Sequence, residues 1–209
     1  MNPITIPREA FSELIWRRLN SPTRALGNLF DRLDLLRAEA DYNTGSINHQ
    51  DARDLQQIVG HFQPRVVAEV GTFIGRSTTT MAQAMPEGGT IYTCDVSNDI
   101  KLPEIPGATI EQFPKKSSTE MFEILISRKV KVDLFYIDGR LTPKDYWLLM
   151  ELMHDATVLV LDDFEGIEKG VVNAMGLMQH LRSYALVYPR NYGKTAMMLP
   201  PKLVQFTAQ

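Results

Sequence analysis

Residues 66–77, with the sequence VVAEVGTFIGRS, constrain the fold more than any other part of this chain. An apolar run that contains one acid, Glu69, is followed by two glycines four residues apart, Gly71 and Gly75. A helix is predicted to begin directly afterwards, at Arg76. Glycine lets the backbone turn sharply after a strand and lets a ligand or a helix approach closely. The pattern therefore predicts a parallel sheet with a ligand-binding turn after its first strand.

The spacing of these glycines indicates which ligand the turn would hold. Dinucleotide-binding turns use three glycines, whereas this turn has two. The free N–H groups at the start of the helix would suit a less demanding anion, such as a carboxylate, to which Ser77 could donate. Asp95 ends the next predicted strand, where an acid accepts hydrogen bonds from ribose hydroxyls in nucleotide-binding units. Together these features favour a ligand of the adenosine type.

Strands and helices are predicted to alternate through the rest of the chain. The predicted strands span 65–70, 90–95, 108–112, 132–137, 156–161, 184–188 and 195–199, and the helices between them span 76–85, 117–128, 143–154 and 167–182. Continuous apolar strands that alternate with helices are typical of a doubly wound α/β fold with a mostly parallel sheet. The segment PRNYGK is too short for a helical crossover, so the last two strands should form an antiparallel hairpin at the sheet edge.

The region before the sheet is predicted to be helical. Helices are expected over 8–19 and 22–39, within an N-terminal extension that covers residues 1–44. Residues 45–209 are predicted to form the α/β domain, which opens with a helix from His49 or Asp51 to His61.

Composition excludes several classes of function. The net charge of −3 gives no overall basic field for nucleic acid or anionic membranes. No window reaches the ~18 apolar residues of a membrane span, and the first residues do not resemble a secretory signal. The one cysteine, Cys94, excludes an internal disulfide, and its apolar surroundings predict a buried, inert thiol. We therefore expect a cytoplasmic protein that binds neither nucleic acid nor membrane.

Three aspartates follow two further strands of the predicted sheet. Asp138 ends the run VDLFYID, and Asp162 and Asp163 end the run ATVLVLDD. Because the carboxyl ends of parallel strands meet at one edge, the three carboxylates should converge beside the glycine turn. Without a cation they would repel and raise one another's pKa, whereas Mg²⁺ prefers such oxygen ligands. The sequence therefore predicts Mg²⁺ or another divalent cation here, which could lower the pKa of a bound hydroxyl.

These motifs resemble those of class I S-adenosylmethionine-dependent methyltransferases. More narrowly, the chain resembles metal-dependent O-methyltransferases of the catechol and macrolide-sugar types. The resemblance covers roughly residues 45–200, and it rests on EVGTFIGRST at 69–78, Asp95, YIDG at 136–139 and LDDF at 161–164. It implies a Rossmann-like seven-stranded sheet with an antiparallel last strand. It also implies S-adenosylmethionine as cofactor and metal-assisted methylation of a hydroxyl on a sugar, phenol or natural product.

The resemblance also implies a role for individual residues. The implied cofactor-binding residues are Ser46, Glu69, Gly71, Thr72, Phe73, Gly75, Ser77, Asp95, Lys116, Ser117, Asp138 and Gly139. Among them, Ser46 and the adjacent Ile47 would cover the cofactor, and Lys116 and Ser117 would flank the adenine. The implied metal ligands are Asp138, Asp162 and Asp163. Residues 1–44 would form a substrate lid or the contact of a homodimer.

The chain departs from its relatives at the catalytic base. Related enzymes carry a histidine or a lysine three residues after the aspartate that corresponds to Asp138, and here Leu141 stands at that position. Asp138, Lys144 and a metal-bound hydroxide are the candidate bases. Two alternative functions stay open: an NAD(P)-dependent oxidoreductase, which the missing third glycine disfavours, and a non-catalytic protein that keeps the cofactor pocket.

Overall fold

The computed structural model describes residues 4–6, 46–97, 101–164, 167–189 and 194–206. The helices predicted over 8–19 and 22–39 lie outside the described residues. Of the predicted N-terminal extension, 1–44, only residues 4–6 are described, and they form a short strand. The predicted role of this extension as a lid or dimer contact stays a prediction.

The described residues form nine strands and five α-helices. The strands are β1 (Ile4–Ile6), β2 (Val66–Val70), β3 (Gly89–Asp95), β4 (Ala108–Pro114), β5 (Leu134–Ile137), β6 (Val158–Leu161), β7 (Ala185–Val187), β8 (Ala196–Leu199) and β9 (Val204–Phe206). The helices are α1 (His49–Phe62), α2 (Arg76–Ala84), α3 (Ser118–Ser127), α4 (Pro143–Leu152) and α5 (Val172–His180). A π-helical turn, Ile167–Val171, leads directly into α5, and a 3₁₀ turn, Pro201–Leu203, precedes β9.

Seven of the strands form one mixed sheet in the order β4-β3-β2-β5-β6-β8-β7. The first five strands of this order are parallel, and β8 runs antiparallel to both β6 and β7. The predicted fold class and the predicted edge hairpin are confirmed. The chain leaves β2 towards β3 on one side and reaches β5 on the other. The carboxyl ends of β2 and β5 therefore flank the crevice in which open α/β sheets bind ligands.

Two strands were not predicted. β1 pairs in parallel with β9, so that Ile4 lies opposite Val204 and Ile6 opposite Phe206. Each has three residues, too few for a hydrophobic period to be read from the sequence. The helix predicted over 167–182 is also divided, because its first turn is π-helical.

Helices cover both faces of the large sheet, which explains why its central strands are continuous apolar runs. On one face α1 and α2 pack through Leu55, Phe62 and Met81, and on the other α3 and α4 pack through Phe122 and Leu149. Within the part of the chain that the structure describes, no helix is both long enough and apolar enough to cross a membrane.

The carboxylate of Glu69 is completely buried within β2. Its Oε1 accepts a hydrogen bond from Ser77 Oγ at 2.5 Å, and its Oε2 accepts from Thr78 Oγ1 at 2.5 Å and from Thr93 Oγ1 at 2.6 Å. Thr72 Oγ1 continues this chain at 2.6 Å from Thr93 Oγ1. These bonds join the first turn of α2 to β2 and β3. They therefore hold the glycine turn that lies between β2 and α2.

Glu69 should make stability depend on pH. Burial raises the pKa of Glu69 from its ordinary 4.5 to about 7, although its hydroxyl partners oppose the rise. The folded state then binds the proton more tightly than the unfolded state, so the stabilisation is full below pH 4.5 and is lost as the pH rises through 7. A shift of this size corresponds to about 3 kcal/mol. In urea unfolding, Glu69→Gln should reduce the fall in unfolding free energy between these pH values.

A matched substitution controls for the general effect of charge. Glu87 is exposed, so Glu87→Gln should leave the pH dependence of the unfolding free energy as in the unsubstituted protein. An equally steep fall in Glu69→Gln and in the unsubstituted protein would contradict the assignment to Glu69.

Candidate functional site

A cavity of about 750 Å³ opens at the carboxyl ends of the central strands. This volume lies within the range of small-molecule and cofactor sites. The residues predicted for the site that line it are Ser46, Gly71, Phe73, Asp95, Lys116, Ser117, Asp138, Gly139, Asp162 and Asp163. The glycine turn and the three aspartates, which are far apart in sequence, therefore share one cavity.

Both glycines of the turn have a positive φ, and Gly71 also packs closely on a neighbouring backbone. Gly71 has φ +102°, and a Cβ atom there would lie 3.0 Å from the carbonyl oxygen of Asp138. Gly75 has φ +80° and precedes the first residue of α2. Phe73 also has a positive φ of 43°, which is strained for a bulky residue and was not predicted. The turn is thus packed directly against the loop that carries Asp138.

Asp95 is held in place at the end of β3. Its Oδ2 accepts from the backbone N–H of Phe73 at 2.8 Å, and its Oδ1 accepts from the backbone and hydroxyl of Ser97 at 2.9 and 2.8 Å. A carboxylate can accept about four hydrogen bonds, so Asp95 keeps capacity for a ligand hydroxyl. Its position in the cavity lining suits the ribose role that was predicted for it.

Four residues predicted to bind the cofactor lie outside the cavity lining: Glu69, Thr72, Gly75 and Ser77. Ser77 donates its hydroxyl proton to Glu69, so that proton is not available to a ligand carboxylate. Thr72 is turned towards Thr93, and the Cβ position of Gly75 faces Leu102. These residues support the turn from behind, and their contact with the ligand stays a prediction.

Lys144, a candidate base, is placed away from the cavity. Its Nζ lies 2.5 Å from Glu123 Oε1, and 61% of its side chain is exposed. The role of Lys144 as a base stays a prediction, which this placement does not support. Leu141, which stands where related enzymes carry the base, is buried in the core below α4 and α5.

Asn173 fixes the loop that follows Asp138 and was missed in the sequence. Its Nδ2 donates to the carbonyl of Gly139 at 2.8 Å, and its Oδ1 accepts from the backbone N–H of Leu141 at 3.1 Å. Arg76 was missed as well, and its guanidinium donates to the carbonyl of Ile47 at 3.2 Å. It thereby helps to place the segment around Ser46, which lines the cavity.

Asp138, Asp162 and Asp163 converge as predicted, and two of them have perturbed pKa values. Burial raises the pKa of Asp138, while the nearby ammonium of Lys169 opposes this rise. Burial, and then the charges of Asp138 and Asp163, raise the pKa of Asp162. Asp162 also accepts a hydrogen bond from Thr195 Oγ1 at 3.2 Å. Both carboxylates therefore hold a proton more tightly than exposed aspartates do.

Lys169 lies between two of the three predicted metal ligands and was not predicted. Its Nζ is 2.9 Å from Asp138 Oδ1 and 2.5 Å from Asp163 Oδ2. The lysine lies in the π-helical turn Ile167–Val171, and it lines the same cavity. The only feature of the sequence that could have indicated this contact is that Lys169 follows shortly after Asp162 and Asp163.

The described residues do not fit a divalent ion together with this lysine. An ion bound to Asp138 and Asp163 would lie against the ammonium of Lys169, which already contacts both carboxylates. Moreover, across the described ranges no three acidic, histidine or cysteine side chains are grouped so that they could hold a metal ion. The magnesium site stays a prediction.

A glycine next to Lys169 allows its turn to pack against the aspartates. A Cβ atom on Gly170 would lie 2.4 Å from the carbonyl oxygen of Asp162 and 2.8 Å from the backbone of Phe164. Real Cβ atoms do not approach backbone atoms so closely, so another residue here would force the turn away. Single π-helical turns within helices occur frequently at functional sites.

Alanine substitutions at two helical glycines should therefore have opposite effects. Gly170→Ala should destabilise the protein by roughly 1–3 kcal/mol, because the added methyl group collides with backbone. Gly60→Ala, in α1, meets no atom within 4 Å and should stabilise it by up to about 1 kcal/mol through helix propensity. Unfolding free energies in urea measure both effects. Stabilisation by Gly170→Ala would contradict the close packing.

Residues 68–164 match the family profile described as a methyltransferase domain. This match runs from β2 to the turn after β6, and it includes the glycine turn, Asp95 and the three clustered aspartates. These residues are similar to a methyltransferase domain. The predicted resemblance to class I methyltransferases is confirmed for this domain. A comparison with curated protein sequences gave no match.

Solved structures share the fold of most of this chain. An O-methyltransferase from Bacillus cereus, in complex with SAH, superposes with a TM-score of 0.63 at 15% identity, over 90% of this chain and 96% of that chain. The O-methyltransferase TomG from Streptomyces achromogenes, which is involved in tomaymycin synthesis and has SAM bound, gives a TM-score of 0.62 at 15% identity, over 91% and 96%. A methyltransferase from Geobacter sulfurreducens gives 0.60 at 12% identity, over 90% and 96%.

Proposed function

We propose that this chain transfers a methyl group from S-adenosylmethionine to a hydroxyl of a small molecule. The observation that carries the proposal is that one cavity contains both the glycine turn with Asp95 and the partly buried carboxylate of Asp138. The bound SAH and SAM of the Bacillus and Streptomyces structures, which share this fold, support the choice of cofactor. The names of those proteins support an oxygen acceptor.

The cofactor side of the cavity is assigned from its backbone and its acids. Gly71 leaves the backbone of the turn open to the methionine part, and Asp95 would accept hydrogen bonds from the ribose. Lys116 and Ser117, between β4 and α3, would flank the adenine. Ser46 also lines the cavity, and it would cover the cofactor.

The acceptor side lies at Asp138 and Lys169. When bound, the cofactor supplies a methyl carbon on a sulfonium, and the bond from this carbon to sulfur breaks as its bond to the acceptor oxygen forms. The chain contributes mainly by holding the oxygen in line with that carbon. The proton of the acceptor hydroxyl passes to a carboxylate oxygen of Asp138, whose raised pKa suits proton acceptance near neutral pH.

Several finer predictions stay predictions. They are the assistance of Mg²⁺, the homodimer formed through residues 1–44, the cytoplasmic location and the chemical class of the acceptor. A non-catalytic cofactor-binding protein is the second candidate function, and it is favoured by the burial of Leu141, where relatives carry a base. The oxidoreductase alternative has no comparable support, because the matched family is a methyltransferase domain.

Asp95→Asn should weaken S-adenosylmethionine binding by at least ~10-fold, because a hydrogen bond from the ribose to a charged acceptor is lost. Asparagine keeps one oxygen for the backbone of Phe73, so the turn should persist. Isothermal titration calorimetry measures the affinity, and Asp155→Asn, at an exposed aspartate, serves as the control. Binding of NAD(P)⁺ but not of S-adenosylmethionine by the unsubstituted protein would reject the proposed function.

Asp138→Asn should reduce methyl transfer by at least ~100-fold, since the proton acceptor is removed. The assay incubates the protein with S-adenosylmethionine and a panel of phenols and sugars, and it detects released S-adenosylhomocysteine. Cofactor affinity measured in parallel should change much less than turnover. Undiminished turnover would remove Asp138 from the base role, whereas cofactor binding without turnover on any acceptor would favour the non-catalytic candidate.

A further inference from the structure

The cation of the aspartate cluster is a side chain of this protein. We infer that the ammonium of Lys169 takes the place that a divalent ion would have between Asp138 and Asp163, so that the site works without a metal. The charge argument from the sequence required a cation among these carboxylates. Lys169 Nζ meets that requirement, because it contacts one oxygen of each at 2.9 and 2.5 Å.

The two carboxylate oxygens that contact Lys169 cannot bind a metal at the same time. Mg²⁺ binds oxygen at 2.0–2.1 Å and demands near-octahedral geometry. An ion at that distance from Asp138 Oδ1 and Asp163 Oδ2 would be within a few ångströms of the ammonium, where two positive charges repel strongly. Binding of a metal would therefore require Lys169 to leave both carboxylates.

The backbone around Lys169 opposes such a movement. Its neighbour Gly170 packs on the Asp162 carbonyl and on Phe164, so the π-helical turn is seated against the same segment that carries Asp163. Asp163 itself has a φ of 51°, in the left-handed region, which turns its side chain back towards the cavity that Lys169 lines. The lysine is thus placed by packing that does not depend on its charge.

The ammonium of Lys169 has a third N–H donor besides the two that contact Asp138 and Asp163. Lys169 Nζ also donates a long hydrogen bond, of 3.5 Å, to the carbonyl oxygen of Asp138, and the lysine lines the cavity. On the proposed function, this donor can approach the oxygen of the acceptor. Lys169 would then orient Asp138 and the acceptor, as a positioning residue rather than as the proton acceptor.

Binding of Mn²⁺, followed by electron paramagnetic resonance of the free ion, tests the inference. The chain treated with a chelator and then exchanged into Mn²⁺ should bind no stoichiometric ion. Lys169→Met, which keeps the length of the side chain and removes its charge, should bind Mn²⁺ at least ~10-fold more tightly, because two carboxylates lose their cation. Uptake of one tightly bound Mn²⁺ per unsubstituted chain would overturn the inference.

Lys202→Met is the matched control. Lys202 also pairs with an aspartate at 2.9 Å, in this case Asp155 on the surface, and its loss should leave Mn²⁺ binding unchanged. If no variant binds Mn²⁺, thermal unfolding decides. A lower Tm for Lys169→Met than for Lys202→Met, with recovery in Lys169→Arg, supports the inference, whereas equal Tm values overturn it.

These measurements require no turnover, so they separate this inference from the proposed function. Failure to bind S-adenosylmethionine would reject the function and leave the Mn²⁺ result standing. Conversely, methyl transfer that is lost in chelator and restored by Mg²⁺ would confirm the function and overturn the role of Lys169. Methyl transfer that is unchanged in chelator supports both.

Discussion

The buried carboxylate of Glu69 is the interaction on which the rest of the site depends. It lies in the middle of the sheet, where an unpaired carboxylate would be strongly destabilising. The hydroxyls of Ser77, Thr78 and Thr93 satisfy it, and they come from the start of α2 and from β3. The requirement to hydrogen-bond this one buried carboxylate therefore fixes β2, β3 and α2 with respect to one another. The turn between β2 and α2 then has little freedom left.

Two glycines allow close backbone packing around the cavity. Gly71 lets the turn rest on the carbonyl of Asp138, and Gly170 lets the π-helical turn rest on the carbonyl of Asp162. In each place a turn that leads into a helix packs on the backbone at the end of a strand, β5 for Gly71 and β6 for Gly170. The glycine turn and the acid cluster are therefore joined at Gly71 and Asp138 through a main-chain contact.

The sequence predicted most of the sheet and the meeting of Asp95, Asp138, Asp162 and Asp163. The reason is that buried parallel strands are apolar throughout and that their carboxyl ends share one edge. It did not predict where individual side chains point. Ser77 turns inward to a buried charge, and Lys144 turns outward to Glu123, although both had suitable chemistry. Such choices depend on three-dimensional neighbours that no local period encodes.

Electrostatic reasoning from the sequence also did not predict Lys169 in the acid cluster. Repulsion among three carboxylates predicts that a cation is present, but it does not distinguish a metal ion from an ammonium. That distinction rests on the π-helical turn and on Gly170, which bring Lys169 within reach of Asp138 and Asp163. A bound metal ion can exchange with solvent, whereas the ammonium of Lys169 is placed between the carboxylates by folding of the π-helical turn. The charge balance beside the reacting atoms would then be a property of the folded chain itself, independent of the supply of metal.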